Sequence, residues 1–464
     1  MFILACFLYI TSTHTFSTLG NNFNSSATLT PAQISAAGID SATASKLAVA
    51  VEYERSNYAF GSVDDDPFYR VPPETANATA GTLLKVEAVT NTSAYTLPPN
   101  TALSRIIFQS EGINGSVVPV SAFVLWPYMP RSLPDGWPVV AWAHGASGDF
   151  GNCAPSHMRS LDYEFGAPYT LALQGYVVVA PDFAGLGVDR DANGKPIAHP
   201  LLANPLLAND IFFAVEAAQS AFSQLSKKFV IMGHSEGGGA AWGSAQRQAT
   251  RPVAGYLGAI AGSPLTRVLD HAPALDAAAD TVCFGFAAGL STIYPDFQSS
   301  DALTPAGEKL VALAAEIQGC SAVQSVLFAE TGLVKPGWSE NYYAQAWQNL
   351  TANGGKPVAG PFLVLQGESD PLVPYPITTA AVNSTCTAYP KTQLEYVTFA
   401  NVTHIPVLFA SQRIWLDWID DRFADKVVSE GCQSSRFNSA RPYQNYQAET
   451  NWYLGYATQA YEIA

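Results

Sequence analysis

Gly233-His234-Ser235-Glu236-Gly237 reads G-x-S-x-G, and its flanks constrain the fold more than the five residues do. A β-favouring run, Lys228-Phe229-Val230-Ile231-Met232, leads directly into it. A small-residue, helix-capable run from Gly239 to Gln248 follows. Strand, sharp turn and helix is the setting in which a serine is held up on a nucleophile elbow. Glycines suit the turn because strand and helix backbones approach closely there, and a Cβ would clash. The bland alternative is an accidental match, since so short a pattern recurs in long chains. On the elbow reading, the rest of the chain must supply a base, an acid and an oxyanion hole.

The flanking pattern extends the same architecture. Val139-Val140-Ala141-Trp142-Ala143 is continuously apolar and ends in His144-Gly145; Tyr176-Val177-Val178-Val179-Ala180 ends in Pro181-Asp182. Runs apolar on both faces suit parallel strands covered by helices. Asn209 is expected to cap a helix from Asp210 to about Leu225, with Ile211, Phe212, Ala214, Val215, Ala218 and Phe222 on one broad face. Further strands are expected over Tyr256–Ala261, Pro361–Gln366 and Leu394–Phe399. This alternation predicts an α/β fold with a mostly parallel, doubly wound sheet. Upstream, Lys85–Val89, Ser104–Gln109 and Val117–Trp126 predict antiparallel strands at one edge, with a hairpin turn at Gly112–Gly115.

Between Ser263 and Pro361 the rhythm breaks. Helix-like segments at Pro305–Ile317 and Ala322–Ala329 replace strands, among scattered Leu290, Tyr294, Phe297, Trp338, Tyr342, Tyr343 and Trp347. The expectation is a cap over the C-terminal edge of the sheet; a mere thickening of the core is the alternative. The organisation read from the sequence is a signal peptide (1–18), a leader packing on the core (19–80) with a helix from Pro31 to Arg55, core (81–262), helical cap (263–360), core again (361–435) and tail (436–464).

The apolar run Phe2–Ile10, followed by small polar residues, is expected to act as a secretion signal and is too short to span a bilayer. No other stretch predicts a transmembrane helix. Sequons at Asn24, Asn77, Asn91, Asn114, Asn349, Asn383 and Asn401 fit an exported glycoprotein. Charged residues make up only 13% of the 464, with a net charge of -15, which argues against nucleic acid or an anionic membrane as partner. Besides Cys6 in the signal, Cys153, Cys283, Cys320, Cys386 and Cys432 allow two disulfides and one leftover thiol. No C-x-x-C pair exists, so a structural zinc site is not expected; no cofactor is expected either.

The acid candidate is Asp370, in Gly367-Glu368-Ser369-Asp370-Pro371 just past the strand Phe362–Leu365. Ligands bind at that edge of α/β sheets, and the Asp-Pro turn fixes the carboxylate locally. Glu368 is the rival. The base candidate is His404: the triad order in this fold class is Ser, acid, His. Only His271 and His404 follow the serine, and only His404 follows Asp370. A capping or packing histidine is the alternative. A serine hydroxyl needs a base to take its proton during attack. The imidazole would do that and later protonate the leaving group, with Asp370 fixing its tautomer. For the oxyanion, the backbone N–H of Glu236 is one candidate donor, and Ala146, then Ser147, in His144-Gly145-Ala146-Ser147-Gly148 is the other. The Glu236 carboxylate is unhelpful there unless it points away. His144 and His234 are expected in supporting roles.

These segments, with Asp65-Asp66-Pro67-Phe68-Tyr69, Cys153-Ala154-Pro155-Ser156 and Asp370-Pro371-Leu372-Val373-Pro374-Tyr375, resemble the secretory lipases of the lipase A type, in the α/β-hydrolase superfamily, over roughly residues 64 to 435. The resemblance implies a triad of Ser235, Asp370 and His404, a helical lid in the insertion, and disulfides Cys153–Cys320 and Cys386–Cys432 that leave Cys283 free. One branch of that family has an acidic residue near the position of Ser147, so the acid-pH behaviour and acyl preference of that branch are not carried over.

The expected function is therefore a secreted carboxylic-ester hydrolase, a monomer acting on an ester or lipid substrate, with a lipid–water interface as its setting. A serine peptidase or aminopeptidase of the same fold is the alternative; it would want a carboxylate near the site, for which Glu236 or Glu368 could serve. A catalytically dead binding protein is a third reading, which the complete triad disfavours.

Overall fold

The computed structural model describes residues 26–270, 289–329 and 332–447. The expected signal segment with Cys6, His14 and the Asn24 sequon, as well as His271, Cys283 and the last residues of the tail, lie outside the described residues.

Ten strands form one sheet: β1 (Leu83–Glu87), β2 (Ala102–Glu111), β3 (Val117–Trp126), β4 (Trp137–Ala143), β5 (Val177–Pro181), β6 (Leu225–His234), β7 (Tyr256–Gly262), β8 (Phe362–Gly367), β9 (Leu394–Phe399) and β10 (Cys432–Phe437). Their order is β1-β2-β3-β5-β4-β6-β7-β8-β9-β10. β1, β2 and β3 pair antiparallel, β3 meets β5 antiparallel, and every pairing from β5 through β4 to β10 is parallel. The expected hairpin joins β2 and β3, closed by Gly112 N–H donating to Ser116 O at 2.7 Å.

The helices are α1 (Pro31–Ala37), α2 (Ser41–Ser56), α3 (Pro168–Leu173), α4 (Asn204–Ala221), α5 (Glu236–Thr250), α6 (Pro305–Ile317), α7 (Ser321–Leu327), α8 (Tyr342–Thr351), α9 (Tyr375–Ala388), α10 (Pro406–Ala410) and α11 (Gln412–Phe423). Strand alternation assigns the core. Val139, Ala141 and Ala143 of β4 join α4 and α5 through Phe212 and Trp242. Val140 and Trp142 face the other way, toward Tyr169 and Leu171 of α3 and Trp415 and Ile419 of α11. Both faces are dry, which is why the run carries no polar residue. Each such large apolar side chain removed from water contributes roughly 1.5–3 kcal/mol.

A separate apolar cluster lies in the cap. Leu47, Ala50 and Val51 of α2 pack with Leu290, Leu310, Leu313, Val323 and Trp347. Helix α2 therefore shares an apolar interior with the segment between β7 and β8. Of the insertion residues singled out from sequence, Leu290, Phe297, Trp338 and Trp347 are buried there and Tyr343 packs against them, while Tyr342 is exposed. Among the described residues of this segment, most of these aromatic side chains fill a shared interior.

Three local expectations need correction. Asn209 does not cap α4, which starts at Asn204 with Ala203 preceding it. Asn209 lies inside the helix, where its side chain donates to Glu111 O and accepts from Arg247. The sequence signal missed the start because the first turn, Asn204-Pro205-Leu206, uses proline at its beginning rather than a polar cap. The leader helix is broken at Gly38 (φ 71°) into α1 and α2. The tail does not begin at 436: Cys432–Phe437, polar from Gln433 to Arg436, form edge strand β10, parallel to β9. Its exposed burial pattern gives no periodic signal, and the Cys386–Cys432 disulfide ties it to α9.

Candidate active site

β6 ends at His234, α5 starts at Glu236, and Ser235 sits on the turn between them with φ 59° and ψ −119°. A non-glycine residue there stores strain that surrounding structure must hold. The hold is visible: Ser235 N–H donates to Gly262 O at 2.9 Å, and Ser235 O accepts from Gly239 and Leu265. The flanking glycines are required sterically. A Cβ on Gly233 would lie 2.1 Å from Gly237 O, and one on Gly237 would lie 2.0 Å from Ala143 O.

His404 follows β9 and Asp370 follows β8, at the same edge of the sheet. His404 Nδ1 faces Asp370 Oδ2 at 2.8 Å, both groups buried. A carboxylate accepts, so Nδ1 donates, and in the neutral imidazole Nε2 is then the nitrogen with the lone pair. The other Asp370 oxygen accepts from Leu372 N–H at 2.9 Å and Val373 N–H at 2.8 Å. Burial would push the Asp370 carboxyl up, but the facing His404 and these hydrogen bonds override it and hold it below the usual carboxylate range. The His404 ring packs on His234, the residue before Ser235, with centroids 4.5 Å apart.

His234 has a definable state. Burial, joined by the neighbouring His404, pushes it down to about 3, so the ring is neutral. Its Nε2 lies 3.0 Å from His404 O, which can only accept, so Nε2 donates. Its Nδ1 must then accept, and Tyr163 Oη donates to it at 2.8 Å. Tyr163 also touches the loop after β4, where a Cβ on Gly145 would come within 2.2 Å of its hydroxyl and 3.2 Å of Ser235 Cβ. One phenol thus links the Gly145 loop to His234 of the elbow, and His234 carries the link on to the His404 backbone. The expectation of a supporting role fits this geometry for His234. His144 sits between Gly145 O and Asp182 O, at 2.7 and 3.1 Å.

Glu368, the rival acid, points elsewhere. It makes two 2.7 Å bonds with Arg436 of β10 and accepts from Thr398. The Glu236 carboxylate is fully buried: Oε1 accepts from Leu202 N–H at 2.6 Å and lies 3.5 Å from His199 Nε2. Burial pushes His199 down, but the Glu236 hydrogen bond and charge reverse this and raise it. A nearby loop carboxyl, Asp149, is pushed by burial up to about 6.

The candidate oxyanion loop lies against the elbow. Ala146 is exposed and Ser147 buried. Both carbonyls are held by Ser321: Oγ donates to Ala146 O at 3.2 Å and N–H to Ser147 O at 3.1 Å. Cys153 is bonded to Cys320 and Cys386 to Cys432. Two segments singled out from sequence are structural. Asp66 caps the turn at Pro67–Tyr69 and pairs with Arg105 at 2.6 Å. Ser156 bonds Asp182 through both N–H and Oγ. Tyr163, His199 and Ser321 were not legible as site residues, because each reaches the site only through contacts distant in sequence. The described sequon residues Asn77, Asn91, Asn114, Asn349, Asn383 and Asn401 are all exposed. Among the described residues no cluster of three His, Cys, Asp or Glu could hold a metal, and no helix is long and apolar enough to cross a membrane.

A profile of the Secretory lipase family matches residues 160–431, more than half of the chain. The chain belongs to the secretory lipase family. This family member is 24% identical over 402 residues to a secreted triacylglycerol lipase of Malassezia globosa, covering 80% of this chain and 81% of the relative. Its fold is similar to that of Candida antarctica lipase A in its closed state, with TM-score 0.67 and 17% identity, covering 81% of this chain and 90% of that one. It is also similar to a mutant of the rice cell wall degrading esterase LipA of Xanthomonas oryzae, with TM-score 0.58 and 17% identity, covering 74% of this chain and 100% of that one.

Proposed function

We propose that this secretory lipase hydrolyses carboxylic esters, triacylglycerols among them, through an acyl-enzyme on Ser235. The enzyme is a secreted α/β-hydrolase. In the reading we favour, His404 Nε2 takes the Ser235 proton as the hydroxyl attacks the ester carbonyl, and the imidazolium then protonates the departing alkoxide. Asp370 holds the tautomer and stabilises the cation. The Glu236 N–H and an N–H of the Ala146–Ser147 segment stabilise the oxyanion; each such donor is worth roughly 2.7–4 kcal/mol. Water activated by the same imidazole releases the acid. The 263–360 segment acts as the lid, and the lipid–water interface is where it opens. The protein works as a monomer, and the sequons at Asn77, Asn91, Asn114, Asn349 and Asn383 carry glycans.

The single observation that carries this reading is the 2.8 Å His404–Asp370 bond packed against the strained elbow. The peptidase alternative loses support from the same site. Of the two carboxylates it could use for a free amino terminus, Glu236 is buried against Leu202 and His199, and Glu368 is taken by Arg436. A panel of p-nitrophenyl esters of increasing chain length, run beside amino-acid nitroanilides, tests the choice. Ester turnover lost in Ser235→Ala is expected. Faster turnover of the nitroanilides would overturn it.

A further inference from the structure

The loop Gly145–Gly148 carries no side chain long enough to hold its own shape, yet an oxyanion donor must be fixed before the charge develops. His144 Nδ1 faces Gly145 O at 2.7 Å, and the next two carbonyls are held from the cap. Ser321, first residue of α7, donates from Oγ to Ala146 O and from N–H to Ser147 O. In a planar trans peptide the C=O and the following N–H point in opposite directions. Anchoring Ala146 C=O on Ser321 therefore turns the Ser147 N–H away from the cap. Gly145, one residue earlier, faces Ser235.

Ser321 is itself over-determined. Its neighbour Cys320 is bonded to Cys153 and pairs with Gly148 in an antiparallel bridge. The Glu54 carboxylate, buried in α2, accepts from Cys320 N–H at 2.9 Å and Val323 N–H at 2.8 Å. Gln324 donates to Asp149 Oδ2, at the far end of the loop, at 2.9 Å. Leader, cap and disulfide converge on one serine.

We propose that Ser321 is a positioning residue for ester hydrolysis, aiming the Ser147 amide at the oxyanion through the Ala146 carbonyl. This rests on the reading of Ser235 as nucleophile. It makes the cap part of the catalytic apparatus rather than only a cover.

The test compares Ser321→Ala, Ser321→Thr and Ser321→Val in the full-length secreted protein. Ser321 is exposed, so its replacement opens no core cavity. Threonine keeps the hydroxyl, and valine is its near-isostere without one. Losing a whole oxyanion donor costs about a hundredfold to a thousandfold, so loosening one should cost kcat about tenfold in the Ala and Val variants, with KM held within about twofold and Thr close to wild type. An alkylboronic acid, which forms the tetrahedral adduct on serine, should weaken in parallel with kcat, which a merely structural role would not produce. Equal kcat for Thr and Val, or a loss confined to KM or to thermal stability, would overturn the proposal. Labelling of wild-type Ser235 by a fluorophosphonate is the separate arm. Failure there removes the nucleophile itself, whereas labelling with indifferent Ser321 variants removes only the brace.

Discussion

Asp370→Asn changes one atom and tests the whole catalytic geometry. Asp370 Oδ1 is pinned by the N–H groups of Leu372 and Val373, at 2.9 and 2.8 Å. Two donors require an acceptor, so the introduced amide must place its oxygen there. Its NH2 then takes the place of Oδ2, 2.8 Å from His404 Nδ1. A donor at that position needs a lone pair on Nδ1, which moves the imidazole proton to Nε2. The nitrogen meant to receive the Ser235 proton is then already occupied. Flipping the amide would restore the tautomer but set NH2 against the N–H groups of exposed Leu372 and buried Val373. A buried donor left unsatisfied costs about 1–3 kcal/mol, so the flip costs at least that at Val373. Loss of the charge facing the imidazolium adds to this. The expected fall in kcat is about 10⁴-fold, or about 5 kcal/mol in the barrier. Steady-state turnover of a p-nitrophenyl ester measures it, with near-UV circular dichroism to establish that the fold is kept. Glu368→Gln, which only breaks the surface pair with Arg436, should leave kcat within about twofold. Retention of more than about a tenth of wild-type kcat in Asp370→Asn would refute the assignment.

Three further outcomes follow from buried contacts. Tyr163→Phe removes the donor to His234 Nδ1, and a kcat loss of about tenfold with a stability loss of about 1–3 kcal/mol is expected; unchanged turnover would show that His404 does not depend on this relay. Glu54 is pushed by burial up to about 7 from its ordinary 4.5, so its contribution to stability is full below pH 4.5 and is lost as pH rises through about 7, on the order of 3 kcal/mol at about 1.4 kcal/mol per pH unit. Urea midpoints of Glu54→Gln should accordingly vary less between pH 4.5 and 7.5 than those of the wild type, and an equal slope would count against it. In Gly148→Ala the new Cβ would lie 2.6 Å from Cys153 Sγ and 2.9 Å from Cys320 Cα, at φ 138°. A destabilisation above about 2 kcal/mol is expected, with free thiol released at Cys153, readable by thermal melting and thiol titration.

Much of this protein was legible wherever a signal is local. The continuously apolar runs of β4 and β5 announced strands dry on both faces, and the alternation of Val139, Val140, Ala141 and Trp142 between two cores bears that out. The elbow, with a strand before and a helix after, was visible because steric demands on Gly233 and Gly237 act within five residues. Chain order alone separated His404 from the other histidines. Where local cues were weak the sequence misled: α4 begins five residues before Asn209 would cap it, and β10 carries no period because it is a polar edge strand.

What the chain's order could not contain is direction and convergence. Glu236 stands beside Ser235 in sequence, yet its side chain is drawn into the interior by the amide of Leu202 and by His199, supplied by the segment that leads into α4. Asp370 and Glu368 are two residues apart, and only packing decides that one meets His404 and the other Arg436. Ser321 and Tyr163 reach the site from the cap and from the segment before α3, with no motif of their own. Sequence fixes which backbone each residue can adopt over a few neighbours. Which distant groups share a low-dielectric space, and hence which charges and hydrogen bonds must be matched, is settled only when the sheet and its cap close around them.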